Sequence, residues 1–209
     1  MQPEVIISGP DAKKREARLQ AIGIPLRYAD CRLESYQVEN DGQRQALQTA
    51  REYIKRFDEF YDVGTSMLFS GRPGCGKTHL AVAIAREVVE ADYSARYVTA
   101  ADLIRAVWDA RERRYTDQKN EDQVLNSFAG VGLLALDEVG AQPATEARQA
   151  TLFEVISRRY DATLPTLVAS NLAIDGIGQH LGERALSRLR QDGGRIVTFD
   201  WSDYRGRTC

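Results

Sequence analysis

The chain of 209 residues is 43% apolar and 28% charged, with a formal net charge of −2. That length suits one α/β domain with a full core, and the composition is that of an ordinary soluble protein, not a fibrous or low-complexity one. The near-neutral balance excludes a globally basic nucleic-acid binder, so any such contact must come from a local patch, and no apolar run approaches the length of a membrane span.

Met1–Gly9 carries Val5-Ile6-Ile7 and reads as a tail; Met1–Pro10 lacks the basic start and long apolar stretch of a secretory leader. Cys31, Cys75 and Cys209 stand far apart with no C-x-x-C, which predicts thiols in a reducing, cytoplasmic setting. Pro10–Ala21 reads as a short charged helix, stopped by Gly23 and Pro25. Its basic cluster, Lys13 to Arg18, fits a solvated face or a nucleic-acid patch. Residues 24–40 form an irregular arm containing Tyr28, Cys31 and Tyr36, which places a boundary between an N-terminal segment, 1–23, and one domain over 24–209. Ala46, Leu47, Ala50, Tyr53, Ile54 and Phe57 then recur at helical spacing, predicting a helix over Gln43–Phe60.

The next stretch organises the chain. Met67-Leu68-Phe69 is strand-like, and Gly71, Arg72, Pro73, Gly74, Cys75, Gly76, Lys77 and Thr78 fill G-x-x-x-x-G-K-[ST], the phosphate-binding P-loop. The glycines let backbone N–H groups turn inward as a nest for phosphate oxygens. The helix that opens at Thr78 and runs through His79 to Glu90 adds the positive end of its dipole. Lys77 would reach the β- and γ-phosphates and the Thr78 hydroxyl would take a place on Mg²⁺.

Ala95–Thr99 follows as a strand and Ala101–Arg114 as a helix, with Trp108 read as core. Arg111 to Arg114 with Tyr115 is the best local basic and aromatic cluster for single-stranded nucleic acid, or else a solvated helix end. Glu121–Phe128 is a short helix. Val131–Glu138 is a near-continuous apolar run, as in a strand buried on both faces of a parallel sheet. It ends in Asp137 and Glu138, the pair expected to hold Mg²⁺, through water, and to deprotonate the attacking water. Ala144–Tyr160 reads as a helix and Leu164–Asn171 as a strand ending in Ser170 and Asn171. If that strand adjoins the P-loop strand, Asn171 lies beside the γ-phosphate, at the edge where open α/β sheets bind ligands. Leu181–Arg190 reads as a helix on which Arg184 and Arg188 share a face, fit either for phosphoryl-transfer charge or for ordinary salt bridges. Arg195–Phe199 is a last strand.

Taken together, Gly71–Thr78, Leu133–Glu138, Ser170-Asn171, Gly182-Glu-Arg-Ala-Leu-Ser-Arg188 and Phe199-Asp-Trp-Ser-Asp-Tyr-Arg205 resemble AAA+ ATPases of the DnaC/IstB clade, over about Ile24 to Arg207. The arm Leu33-Glu-Ser-Tyr-Gln-Val38 belongs to the likeness. The resemblance implies a three-layer αβα P-loop NTPase with five parallel strands in the order 5-1-4-3-2 and no separate helical lid. It implies ATP and Mg²⁺ as cofactors and ATP hydrolysis stimulated by assembly or DNA. In site terms it assigns Gly71, Pro73, Gly74, Cys75, Gly76, Lys77, Thr78 and His79 to the nucleotide, and Val38 to the adenine. Thr78 and Asp137 fall to the metal, Glu138 to the base, Asn171 to the first sensor and Arg188 to a finger acting on a neighbour's ATP. Arg205 matches the second-sensor arginine. The implied partners are single-stranded DNA, further copies of the chain, and a DnaB-type ring helicase loaded at the start of replication. Two departures stand: loaders carry a helicase-binding region where only about twenty residues precede the arm here, and aromatic residues near their DNA-facing loops are replaced by Arg111 and Ala147. An IstB-like transposition helper and a small-substrate P-loop enzyme are the alternatives; the Phe-Asp-Trp ending favours the loader.

Overall fold

The computed structural model describes residues 17–112 and 120–202. Along that chain run α1 (Asp41–Lys55), α2 (Phe57–Val63), β1 (Met67–Gly71), α3 (Lys77–Glu90), β2 (Ala95–Thr99), α4 (Ala100–Glu112), α5 (Glu121–Ala129) and β3 (Leu133–Val139). They are followed by α6 (Glu146–Asp161), β4 (Thr166–Ser170), α7 (Ile174–Leu181), α8 (Glu183–Arg190) and β5 (Arg195–Phe199). The helix starts are local chemistry. Asn40 and Asn120 each accept from the backbone N–H three residues on, and Gln43 and Gln123 reach back, so α1 and α5 both open on capping boxes. Thr145 caps α6.

The strands pair in the order β2-β3-β4-β1-β5, all parallel, as the resemblance implied. Alternation along each strand divides the core in two. Met67, Phe69, Leu133, Ala135, Leu167 and Ala169 face α1, α2 and α3, whereas Leu68, Leu134, Leu136 and Val168 face α4 to α8. Three layers result, αβα. α3 is the most deeply set helix: every residue from Leu80 to Ala85 is buried, because it packs on the sheet and is roofed by α1 and the arm.

Where the sequence predicted one helix over Gln43–Phe60, the chain breaks at Arg56. Continuous helix would separate Tyr53 and Phe60 by about 10.5 Å of axial rise. The break instead stacks their rings with centroids 5.1 Å apart, with Phe57 edge-on to Tyr53 at 5.8 Å. The predicted helix over Leu181–Arg190 likewise divides, since Gly182 takes φ 84° between α7 and α8. Residues 17–22 dock on the sheet: Ile22 is fully buried, and its carbonyl accepts from the Tyr97 N–H at 2.7 Å.

Arg159 on α6 ties the second core to the sheet. Fully buried, it donates to the carbonyls of Phe128, Ala129, Val131, Gly132 and Pro165 and to the Thr166 hydroxyl. Burial lowers its pKa to about 9, so it remains a cation at neutral pH. Arg159→Leu would strand these carbonyls without donors. The expected cost is about 3–5 kcal/mol, read as a lowered chemical-denaturation midpoint. A change below about 1 kcal/mol would contradict the clamp.

Candidate functional site

The carboxyl ends of β1, β3 and β4 meet at one edge of the sheet, and a cavity of about 290 Å³ opens there between the loop after β1 and the arm. Open parallel sheets bind ligands at this edge because helix N-termini and strand ends converge there. Pro73 to His79 line the cavity from the loop, Asp137 and Glu138 from β3, and Ser170 and Asn171 from β4. Strand β4 pairs with β1 in register Ser70↔Ser170, so the condition placed on Asn171 is met and its side chain stands on the shared edge.

The loop takes its shape from two contacts. Gly71 has φ 138°, and a Cβ there would lie 2.0 Å from the Phe199 carbonyl oxygen, which accepts from the Arg72 N–H at 2.9 Å. Only glycine permits this approach of β5 to the loop. At the other end Gly76 has φ 89°, and a Cβ would strike the Tyr36 ring at 2.7 Å. Lys77, 6% exposed, folds back across the loop and donates from Nζ to the carbonyls of Gly71 at 3.0 Å and Arg72 at 2.6 Å. The ammonium thus has neutral carbonyls among its acceptors, and these are weaker partners for it than phosphate oxygens.

Asp137 is 3% exposed, and its carboxylate is fixed by three donors. Thr78 Oγ1 donates to Oδ2 at 2.7 Å, Tyr97 OH donates to Oδ2 at 2.8 Å, and the Glu138 N–H donates to Oδ1 at 2.7 Å. Burial, then the Asp137 charge, push the Tyr97 pKa well up, so it stays a neutral donor. Tyr97 was not anticipated: a tyrosine on a second strand has no sequence signal that points it at a third strand's aspartate. A buried carboxylate beside a threonine hydroxyl is an oxygen-only donor set of the kind that suits Mg²⁺.

Glu138 is exposed and has φ 56°, left-handed for a non-glycine residue. The ladder to β4 is irregular between Leu136 and Val139, and Gly140 follows at φ 92°. The irregularity turns Glu138 out of the sheet, so consecutive acids take different places: Asp137 inward to Thr78, Glu138 into the cavity. Ser170 Oγ donates to the Val139 carbonyl at 2.6 Å and Ser70 Oγ to the Leu172 carbonyl at 2.7 Å, fastening the strand ends that carry Glu138 and Asn171.

The arm forms the opposite wall, with Tyr28, Cys31, Ser35, Tyr36 and Gln37. His79 locks it to α3: its Nε2 donates to the Arg32 carbonyl at 2.8 Å, and its ring meets Tyr36 edge-on at 5.4 Å. Val38 packs half-buried on the core below the arm, while Tyr36 and Gln37 line the cavity. Behind the loop, Cys75 Sγ donates to the Trp201 carbonyl at 2.8 Å and Trp201 Nε1 donates to the Cys75 carbonyl at 3.0 Å, so Cys75 braces the loop from beneath.

The family described as IstB-like ATP binding protein matches residues 14–192 of the chain. The chain belongs to that family. This IstB-like chain is 34% identical over 196 residues to the replicative helicase loader DnaC of Escherichia coli K12, covering 94% of this chain and 78% of DnaC. It is also 34% identical over 205 residues to the DnaC of Buchnera aphidicola from Schizaphis graminum, covering 98% and 81%. Among solved structures, a DnaC helicase loader superposes with TM-score 0.74 at 23% identity, over 84% of this chain and 99% of that one. The replication initiator DnaA bound to AMPPCP and single-stranded DNA superposes with TM-score 0.70 at 22% identity, over 85% and 52%. These superpositions show that the chain shares the fold of those structures.

In this IstB-like protein Arg188 lies away from the cavity, on α8. Its guanidinium sits 5.2 Å from the Phe153 ring centroid and 5.1 Å from that of Tyr160, and Nη1 is buried with no hydrogen-bond partner among the described residues. Aromatic rings of α6, not a carboxylate, hold it. Arg184 is exposed one turn earlier. Arg205 falls outside the described residues, as do Arg113, Arg114 and Tyr115 of the basic cluster. Within that cluster Arg111 is described, and it donates to Glu121 at 2.6 Å. Arg18, from the earlier cluster, pairs with Asp92. Among the described residues no helix is long and apolar enough to cross a membrane.

Proposed function

We propose that the chain is a cytoplasmic, ATP-hydrolysing helicase loader that assembles with further copies of itself on single-stranded DNA and delivers a ring helicase of the DnaB type. The observation that carries this reading is the alignment with a replicative helicase loader along 94% of the chain, on a domain whose P-loop and Asp-Glu pair converge on one cavity. For chain organisation the proposal keeps residues 1–23 as an N-terminal segment and 24–209 as the ATPase domain, with residues 17–22 docked on it.

ATP would enter with its phosphates in the nest of Gly71, Pro73, Gly74, Cys75 and Gly76. Lys77 would exchange its two carbonyl partners for β- and γ-phosphate oxygens, a charge-assisted replacement that favours the bound state. Thr78 would hold Mg²⁺ directly and Asp137 through water; when bound, the ion would neutralise charge between the β- and γ-phosphates. Tyr97 keeps the Asp137 carboxylate turned toward Thr78. Asn171 would orient the lytic water and Glu138 would take its proton. Arg188 would reach the ATP of an adjoining copy and Arg205 the chain's own nucleotide. The trans role for Arg188 is supported by its not lining its own cavity and by the aromatic cradle that, among the described residues, holds it without a carboxylate.

Lys77→Ala tests the reading at its base. Loss of the ammonium should weaken ATP binding on the order of 10²-fold, measured by titration with a fluorescent ATP analogue. Helicase retention on single-stranded DNA circles should fall with it. Wild-type protein that binds ATP but neither binds a ring helicase nor retains it on DNA would overturn the loader reading. The family match favours one second reading, a transposition helper. It predicts stimulation of a transposase in place of helicase retention.

A further inference from the structure

Gln43, in the first turn of α1, is 5% exposed and stands in the cavity wall. One end of its amide is committed. Oε1 accepts from the backbone N–H groups of Glu39 at 2.6 Å and Asn40 at 3.2 Å. Both partners are donors, so the atom facing them must be the oxygen; turning the amide over would press its NH₂ against two N–H groups. The capping box therefore fixes which way the amide nitrogen points. Among the described residues Nε2 has no hydrogen-bond partner, and the open space that Gln43 borders is the cavity.

The cavity has two ends of different chemistry. Pro73 to Thr78 with Asp137 make the phosphate end, and Tyr28, Cys31 and Tyr36 wall the arm end. Gln43 is bonded to Glu39 and Asn40 of the arm's own continuation, so it belongs to the arm end. With the phosphates seated in the loop, the base is the part of a nucleotide that extends toward the arm. A fixed NH₂ there is a pair of donors with no acceptor capacity. The two purines share acceptors at N3 and N7 and differ at N1, which accepts in adenine but in guanine carries a hydrogen and confronts such a donor with another donor.

We propose that the Gln43 amide nitrogen donates to N1 of adenine and sets the base preference of the site. A rigidly held donor discriminates because a base lacking the acceptor leaves it unpaired in a largely dry wall. The proposal rests on the ATP reading above. It also gives Gln43 two duties on one side chain: the oxygen starts α1 and the nitrogen reads the base.

Gln43→Glu separates the duties, since a carboxylate keeps oxygen acceptors for the Glu39 and Asn40 N–H groups but brings no NH₂. Binding of ATP and of 1-deaza-, 3-deaza- and 7-deaza-ATP, each with one ring nitrogen replaced by C–H, would be compared in the two proteins. Wild type should bind 1-deaza-ATP roughly 2- to 10-fold more weakly than ATP and the other two about as tightly as ATP. In Gln43→Glu that ratio should fall to about one, with the thermal midpoint held near wild type. Added negative charge weakens all four nucleotides alike and cancels in the ratio. A 1-deaza penalty that persists in Gln43→Glu, or a wild type that shows none or shows it only with 3-deaza- or 7-deaza-ATP, would overturn the proposal. Loss of discrimination against 2′-deoxy-ATP alone would assign the donor to the ribose and overturn it as well. Wild type that binds no ATP would instead sink the ATP reading on which the proposal rests.

Discussion

Glu138→Gln is expected to bind ATP with wild-type affinity and to hydrolyse it on the order of 10²- to 10⁴-fold more slowly, the usual range for removing a positioned general base. The prediction follows from how differently the two acids of β3 are placed. Asp137 is buried, and its carboxylate is held by three donors. Glu138 is turned into the cavity by the irregular ladder and has the exposure a base needs. Glutamine fills the same volume at the same φ of 56° and retains a hydrogen-bonding oxygen, but an amide does not accept the proton. Fold and affinity should therefore be spared while turnover is not. Single-turnover hydrolysis with trapped ATP checks this, and turnover within about threefold of wild type would remove Glu138 from the base role.

Arg188→Ala carries the other large effect. As an isolated subunit the variant should bind ATP normally, because Arg188 does not line its own cavity. Its assembly-stimulated hydrolysis should fall on the order of 10³-fold, the low end of what an arginine supplied to a neighbour's phosphates contributes. Removing the side chain also ends its stacking on Phe153 and Tyr160, and Tyr160 stays anchored through its hydroxyl, which donates to Gln191 at 2.9 Å. The stability cost should be about 1 kcal/mol. The decisive arm mixes Arg188→Ala with Glu138→Gln: each supplies what the other lacks, so a mixed assembly should recover part of the activity. Stimulation unchanged in Arg188→Ala, or no recovery on mixing, would sink the trans assignment.

Much of the site is legible in the residues because its chemistry needs fixed types at fixed spacing. Gly71, Gly76, Lys77 and Thr78 could be placed from the motif alone, and the apolar run ending in Asp137-Glu138 announced a central strand. Ser170-Asn171 took meaning only from strand order, which the resemblance supplied and the pairing of β4 with β1 bears out. What escaped notice lies where periodicity is silent. The arm residues Cys31, Tyr36 and Gln37 line the cavity from an irregular segment with no repeat to give their direction, and Val38 packs half-buried on the core beside them. Tyr97, Gln43 and Arg159 act through contacts with residues 40, 3 to 4, and up to 31 positions away. Helix α7 hid behind Gly176 and Gly178, which are poor helix formers on their own. A Cβ on Gly178 would sit 2.5 Å from a Glu183 carboxylate oxygen, so packing against α8, not propensity, explains that glycine.

Nucleotide and DNA should act together on assembly. The direct measurement is ATP hydrolysis by purified protein with and without single-stranded DNA, followed by size-exclusion chromatography of the same samples in ATP. A high-mass species that forms only with ATP, and turns over faster when DNA is added, is the predicted result. A monomer whose hydrolysis ignores DNA at every protein concentration would contradict it.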